Sequence, residues 1–127
     1  MYVKRDPGTY ALIFRCRSTR RITVGRLGTL QLQLGTYIYV GSALGPGGVR
    51  ARIAHHLRKV VSPHWHIDFL RHYACIEGIL VTYGRHRREC EWASAVADLP
   101  GASLPLPGFG SSDCRCAAHL FYFETMG

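Results

Sequence analysis

"GTYIYVGSALGPGGVRARIAHH", residues 35–56, decides how the rest of this chain is read. Its first part sets Tyr37, Tyr39 and Gly41 in alternation with Ile38 and Val40, the period of a β-strand. "SALGPGG" (42–48) then breaks the strand with glycines and a proline. Beyond the break Val49, Ile53, Leu57 and Val60 recur at helical spacing and predict a single apolar stripe. Arg52 and His56 flank that stripe one turn apart, and Arg50 and Arg58 point away from it. The unit is therefore strand, glycine loop, basic helix.

The same signals extend outward in both directions. "GTYALIFRC" (8–16) follows a Pro-Gly turn and is rich in strand formers. Residues 21–41 divide at Gly25, Gly28 and Gly35 into shorter strands, which predicts an antiparallel meander. "HWHIDFLRHY" (64–73) predicts a short helix, "CIEGILVTYG" (75–84) a strand, and residues 87–99 a helix with Trp92, Ala95, Val96 and Leu99 on one face. A Pro/Gly-rich loop leads to a last strand at 119–124. There is no internal repeat and no linker, so residues 1–127 are read as one domain. Strands and helices in this order predict an α+β fold, helices flanking a small central, mostly antiparallel sheet.

Charge narrows the function classes. Net charge is +8, and between Asp6 and Asp68 nine Lys and Arg residues stand without one carboxylate. A positive field over half the molecule favours a polyanion, nucleic acid before any other. A membrane partner is not expected, because no basic amphipathic helix carries aromatic anchors. No apolar run approaches the ~20 residues that span a bilayer, and no signal-peptide segment follows the basic start, so a cytoplasmic location is expected. Five cysteines without a secretion signal point to reduced thiols rather than a disulfide framework. Cys114, Cys116 and His119 form Cys-x-Cys-x-x-His, one residue short of the common zinc knuckle, with Cys75 or Cys90 left to complete it. Zinc is not expected there. A buried turn before the last strand is.

"GTY" (8–10), "YVG" (39–41), Arg52 and His56 together resemble the GIY-YIG nuclease domain, and "CEWA" (90–93) resembles its metal-binding glutamate segment. More narrowly, "YVGSALGPGG", "HWHIDFL" and "FGSSDCRCAAHLFYF" look like the small stand-alone Uri-type members of that superfamily. The resemblance spans nearly the whole chain. It implies a metal-dependent endonuclease that hydrolyses DNA phosphodiesters, selecting structure rather than sequence, with Tyr10, Tyr39, Arg52, His56 and Glu91 catalytic. It also implies Glu91 on one Mg²⁺ or Mn²⁺ ion, and nucleic-acid contacts from Ser42, Arg50, Arg58, Lys59, His64 and His66. Ser42 stands where many members carry lysine, and the gap between "GTY" and "YVG" is longer than usual, consistent with an inserted hairpin around Gly25–Gly28. No asparagine occurs in the chain, so the brace such a residue gives elsewhere falls to Ser112, Asp113 or His119.

The chemistry of the residues agrees with those roles. Only eight acids are present, scattered along the chain, which excludes a two-metal carboxylate cage but leaves room for one ion on one carboxylate. Arg52 offers a fixed charge to phosphate oxygens. His56 can exchange a proton near neutral pH, and Tyr10 or Tyr39 can hold the water or act as its base. Periodicity leaves Glu89 a rival to Glu91, and only the resemblance separates them. Asp68 is expected to orient a basic residue. The competing class is a nucleic-acid-binding module without turnover. A protein-interaction domain is a third.

Overall fold

The computed structural model describes residues 3–60, 62–63, 65–111 and 116–124. Nine elements follow one another: β1 (Gly8–Cys16), β2 (Arg20–Val24), β3 (Gly28–Leu32), β4 (Gly35–Ala43), α1 (Gly48–Leu57), α2 (His66–Arg71), β5 (Cys75–Tyr83), α3 (Glu89–Ala97) and β6 (Leu120–Glu124). Four strands form an antiparallel sheet in the order β5-β1-β4-β6, and among the described residues β2 pairs with β3 alone. The fold is α+β, with a small central antiparallel sheet and three helices.

The hairpin expected around Gly25–Gly28 is present as β2–β3, but the meander expected over residues 21–41 is corrected, because β4 does not pair with β3. β1 pairs directly with β4, and the β2–β3 hairpin is a separate two-stranded excursion between them. It leaves the sheet because its own apolar face has another place to go. Ile22, Val24, Leu30 and Leu32 are buried, and β2 packs on α2. Arg20 lies over the Tyr73 ring, 4.7 Å from its centroid.

Register explains the motif spacing. Along β1, Tyr10, Leu12, Phe14 and Cys16 face the core, opposite Gly41, Tyr39, Tyr37 and Gly35 of β4. Val49 and Ile53 of α1, Ile67 and Leu70 of α2, and Phe109 of the long loop close the same core. α1 packs over β1 and β4, and α3 against β4 and β6.

Helix α1 starts where only glycine fits. Gly47 and Gly48 have φ of 81° and 58°, and a Cβ on Gly48 would lie 2.1 Å from the Arg5 carbonyl oxygen. That close approach lets Asp6 and Lys4 carbonyls accept from Val49 N and Arg50 N at 2.9 and 3.1 Å. The N-terminal amides of the helix are thereby used within the chain.

Two helix faces differ from expectation. In α1 the buried positions are Gly48, Val49, Ile53 and His56, whereas Leu57 is 63% exposed and Val60 lies beyond the helix end. In α3 Glu89 and Ala93 are buried, Trp92 and Val96 are half-buried and Ala95 faces outward, while Leu99 lies exposed beyond the helix end. Among the described residues no helix is long and apolar enough to cross a membrane.

Candidate active site

Strands β1 and β4 and helix α1 bring three of the expected residues together. The Tyr10 hydroxyl and His56 Nε2 share a hydrogen bond of 2.7 Å, both side chains being buried. Their rings lie 5.4 Å apart, and the Tyr39 ring is 6.5 Å from Tyr10 and 6.2 Å from His56. This pairing is why His56, and not Leu57, turns inward: a buried imidazole is tolerated where it has a partner. His56 Nδ1 has no hydrogen-bond partner among the described residues.

In front of that trio is a cleft of about 440 Å³, lined by Tyr39, Gly41, Ser42, Leu44, Gly45, Arg52, Trp65, His66, Arg87, Glu89 and Gly110. Arg52 crosses one wall with its guanidinium 4.4 Å from the Trp65 ring centroid. On the other side Arg87 donates to Glu89 Oε1 at 2.7 Å. His66 forms part of the rim and accepts from Gly110 N at 2.9 Å, which ties α2 to the loop before β6. Ser42 Oγ is covered and unpartnered among the described residues.

The carboxylate that lines the cleft is Glu89 and not Glu91, the residue to which the resemblance points. Glu89 is 9% exposed and lines the cavity. Glu91 projects to solvent, pairing with His86 at 3.1 Å and Arg88 at 4.0 Å. The cause is the rotated face of α3: with Ala93 inward, Glu89 is inward one turn earlier, and Glu91 is on the far side.

Electrostatics follow from burial. Burial pushes the Tyr39 phenol well up, and the Arg52 cation only partly opposes it. The same burial raises Tyr10, reinforced by Tyr39 and again opposed by Arg52. His56 is pulled down to about 3 by burial and then by the Arg71 cation, so it is neutral throughout the physiological range. Burial also lowers His66.

Behind α1 runs a bracing network. Asp68, 1% exposed, accepts from Trp65 N at 2.9 Å and from Arg71 Nε at 3.2 Å, and faces His55 Nε2 at 3.1 Å. Arg71 also donates to the carbonyls of His56 and Arg58. Asp68 thus does orient basic residues, and it joins α2 to the end of α1.

The remaining expected contacts divide. Ser42 and His66 line the cleft; Arg50, Arg58 and Lys59 are exposed on or just after α1, outside the cavity wall. His64, Ser112, Asp113 and Cys114 lie outside the described residues. His119 is buried, lowered by burial against the pull of Glu89. Trp65, read from its place between His64 and His66 as a residue that could line the same groove, does line it. Arg87 was not assigned from sequence, where it had only its basic neighbours as a signal.

Residues 9–127 match a protein family described as domain of unknown function DUF123. The chain belongs to the DUF123 family. No curated protein and no solved structure gives a match to it. The DUF123 match begins inside β1, at the residue before Tyr10, and takes in every cleft residue named above.

Proposed function

We propose that this DUF123 domain is a metal-dependent endonuclease of GIY-YIG type acting on DNA. The observation that carries the reading is the single cleft into which Tyr39, Arg52 and Glu89 converge, backed by the buried Tyr10–His56 pair. Neutralising phosphate requires a fixed cation, and Arg52 is held by the Trp65 ring with its charge toward the cleft. Hydrolysis requires a placed water, and Tyr39 is the one of the three candidate bases that lines the cavity. Tyr10 and His56 fix the wall behind it and hold one exchangeable proton between them.

A cation fits the donor set, because Glu89 is one carboxylate at the wall with a phenol and a serine hydroxyl in the same cleft. Glu89 would hold a Mg²⁺ or Mn²⁺ ion, and when bound such an ion supplies positive charge at the phosphate and lowers the proton affinity of adjacent water. Arg87 donates to Glu89 Oε1 and so fixes the direction in which the carboxylate is aimed. With Tyr39 raised by burial, the phenol is neutral at pH 7 and its first role is to orient the water as a hydrogen-bond partner. The exposed arginines of the hairpin, Arg17, Arg20, Arg21 and Arg26, and those of α1 extend the positive field beyond the cleft for the rest of the polyanion. Location in the cytoplasm belongs to the same proposal.

The test is a panel of labelled duplex, flap, branched and single-stranded DNA, with matching RNA, in Mg²⁺, Mn²⁺ and EDTA. Cleavage is expected with either cation and not in EDTA. Glu89→Gln should abolish it with binding retained, and Glu91→Ala should cleave within about twofold of the parent, as for an exposed residue away from the chemistry. Equal cleavage by Glu89→Gln and the parent would overturn the assignment. Binding without cleavage of any substrate would favour the non-catalytic module.

A further inference from the structure

We infer that Cys90, Cys116 and His119 form a structural zinc site that clamps helix α3 to the start of strand β6. One ligand atom from each of the three lies within 4.8 Å of those of the other two. Zinc with bonds of about 2.3 Å to sulfur and 2.0–2.1 Å to nitrogen holds its ligands roughly 3.5–3.8 Å apart, so rotamer adjustments bring these three onto one ion and leave the fourth tetrahedral position to a water or a further ligand. Cys116 and His119 come as Cys-x-x-His from the segment before β6, and Cys90 comes from the first turn of α3. The Cys-x-x-His segment is held on both sides by the backbone. Gly108 N donates to Ala117 O and His119 N to Phe109 O, each at 2.7 Å, while His119 O accepts from Val40 N at 2.9 Å. His119 is 1% exposed, so the imidazole is delivered from a rigid, buried position.

The donor chemistry selects the ion. Two thiols and an imidazole suit zinc, whereas magnesium and calcium require oxygen. The other dense cluster, His55, His56 and Asp68, does not compete. There the donor atoms are already committed: Asp68 accepts from Trp65 N and Arg71 Nε, and His56 Nε2 shares its hydrogen bond with Tyr10. The knuckle spacing that made zinc unexpected from sequence is beside the point, because the second sulfur arrives from a helix 26 positions away rather than from Cys75. The site does not depend on the nuclease reading. Its position has a consequence for the cleft all the same, since Cys90 is the neighbour of Glu89 and a clamp there fixes the first turn of α3.

The experiment is metal analysis of the full chain, refolded under reducing conditions with excess zinc and freed of loose ion by gel filtration. About one zinc per chain is expected, lost in Cys90→Ser and in Cys116→Ser and kept in Cys75→Ser. Should a variant fail to fold, the cobalt-substituted parent decides: intense thiolate-to-metal charge transfer with tetrahedral ligand-field bands is expected. Less than about a tenth of a zinc per parent chain, or zinc retained in full by Cys90→Ser, would overturn the site. So would a cobalt spectrum lacking thiolate character, or a Cys90–Cys116 disulfide in place of bound metal.

Discussion

The ring of Tyr10 lies across Gly41: a Cβ built on that glycine would sit 2.5 Å from both Cζ and Oη of the phenol. The two residues are partners across the β1–β4 ladder. "GTY" and "YVG" are thus two halves of one contact, and the glycine supplies the space in which the phenol reaches His56. Gly41→Ala should overpack this point at a cost of about 1–3 kcal/mol and part the Tyr10–His56 bond. Urea unfolding followed by near-ultraviolet circular dichroism measures both effects. An unchanged midpoint would count against the contact.

His56 predicts a pH dependence of known sign. Its ordinary value is 6.5 and its folded value about 3, so between them the unfolded chain binds a proton that the folded chain refuses. The stability from neutral burial is complete above about 6.5 and is lost as pH falls toward 3. His66 and His119 are lowered too and act in the same direction. Urea midpoints measured from pH 4 to 7 should therefore fall more steeply for the parent than for His56→Gln. Parallel curves would remove the buried, neutral imidazole.

Asp68→Asn should be among the more damaging single-atom changes. The amide keeps an acceptor for Trp65 N but leaves the Arg71 charge, 6% exposed, without its counter-ion. Breaking a buried pair in this way costs about 3–5 kcal/mol. The exposed Arg15–Glu77 pair is the control, where Glu77→Gln should cost less than about 1 kcal/mol. Thermal melts of the two variants compare them directly.

Binding to duplex DNA should weaken steeply with salt, with a log–log slope of about −0.9 per phosphate contact. Arg52→Ala should remove about one such unit from the slope, since the residue stands in the cleft wall. A slope unaltered by Arg52→Ala would place the nucleic acid elsewhere on the surface.

Where the sequence was legible, local pattern was sufficient. β1 spans residues 8–16 as its strand formers and the Pro-Gly turn before them predict, and β5 and β6 end within a residue of their predicted limits. Helix phase was not legible, because it is set by partners distant in the chain. α3 carries alanines at 93, 95 and 97, so several apolar stripes are available, and docking on β4 and β6 selects the one through Ala93. Choosing between Glu89 and Glu91 depended on that selection. His56 is inward for a similar reason, since its partner Tyr10 lies 46 residues earlier. Trp65 took its place in the cleft by stacking on Arg52, a contact between two elements that spacing alone does not foretell.

The hairpin described above departs from the sheet after Cys16 and returns at Gly35, and those two residues are partners on the same rung of the β1–β4 ladder. A chain that leaves and rejoins a structure at one rung can be lengthened, shortened or exchanged without shifting any other rung. None of Tyr10, Tyr39, Arg52, His56 or Glu89 lies in that excursion. Replacing residues 17–34 by a tight turn is therefore geometrically permitted, since facing Cα atoms in an antiparallel pair stand only about 4.5–5.5 Å apart. What resists it is the apolar side of the hairpin, whose removal would strip the cover from α2. A successful exchange must bring another apolar cover, which makes the hairpin a replaceable cassette in topology and a fixed part in packing.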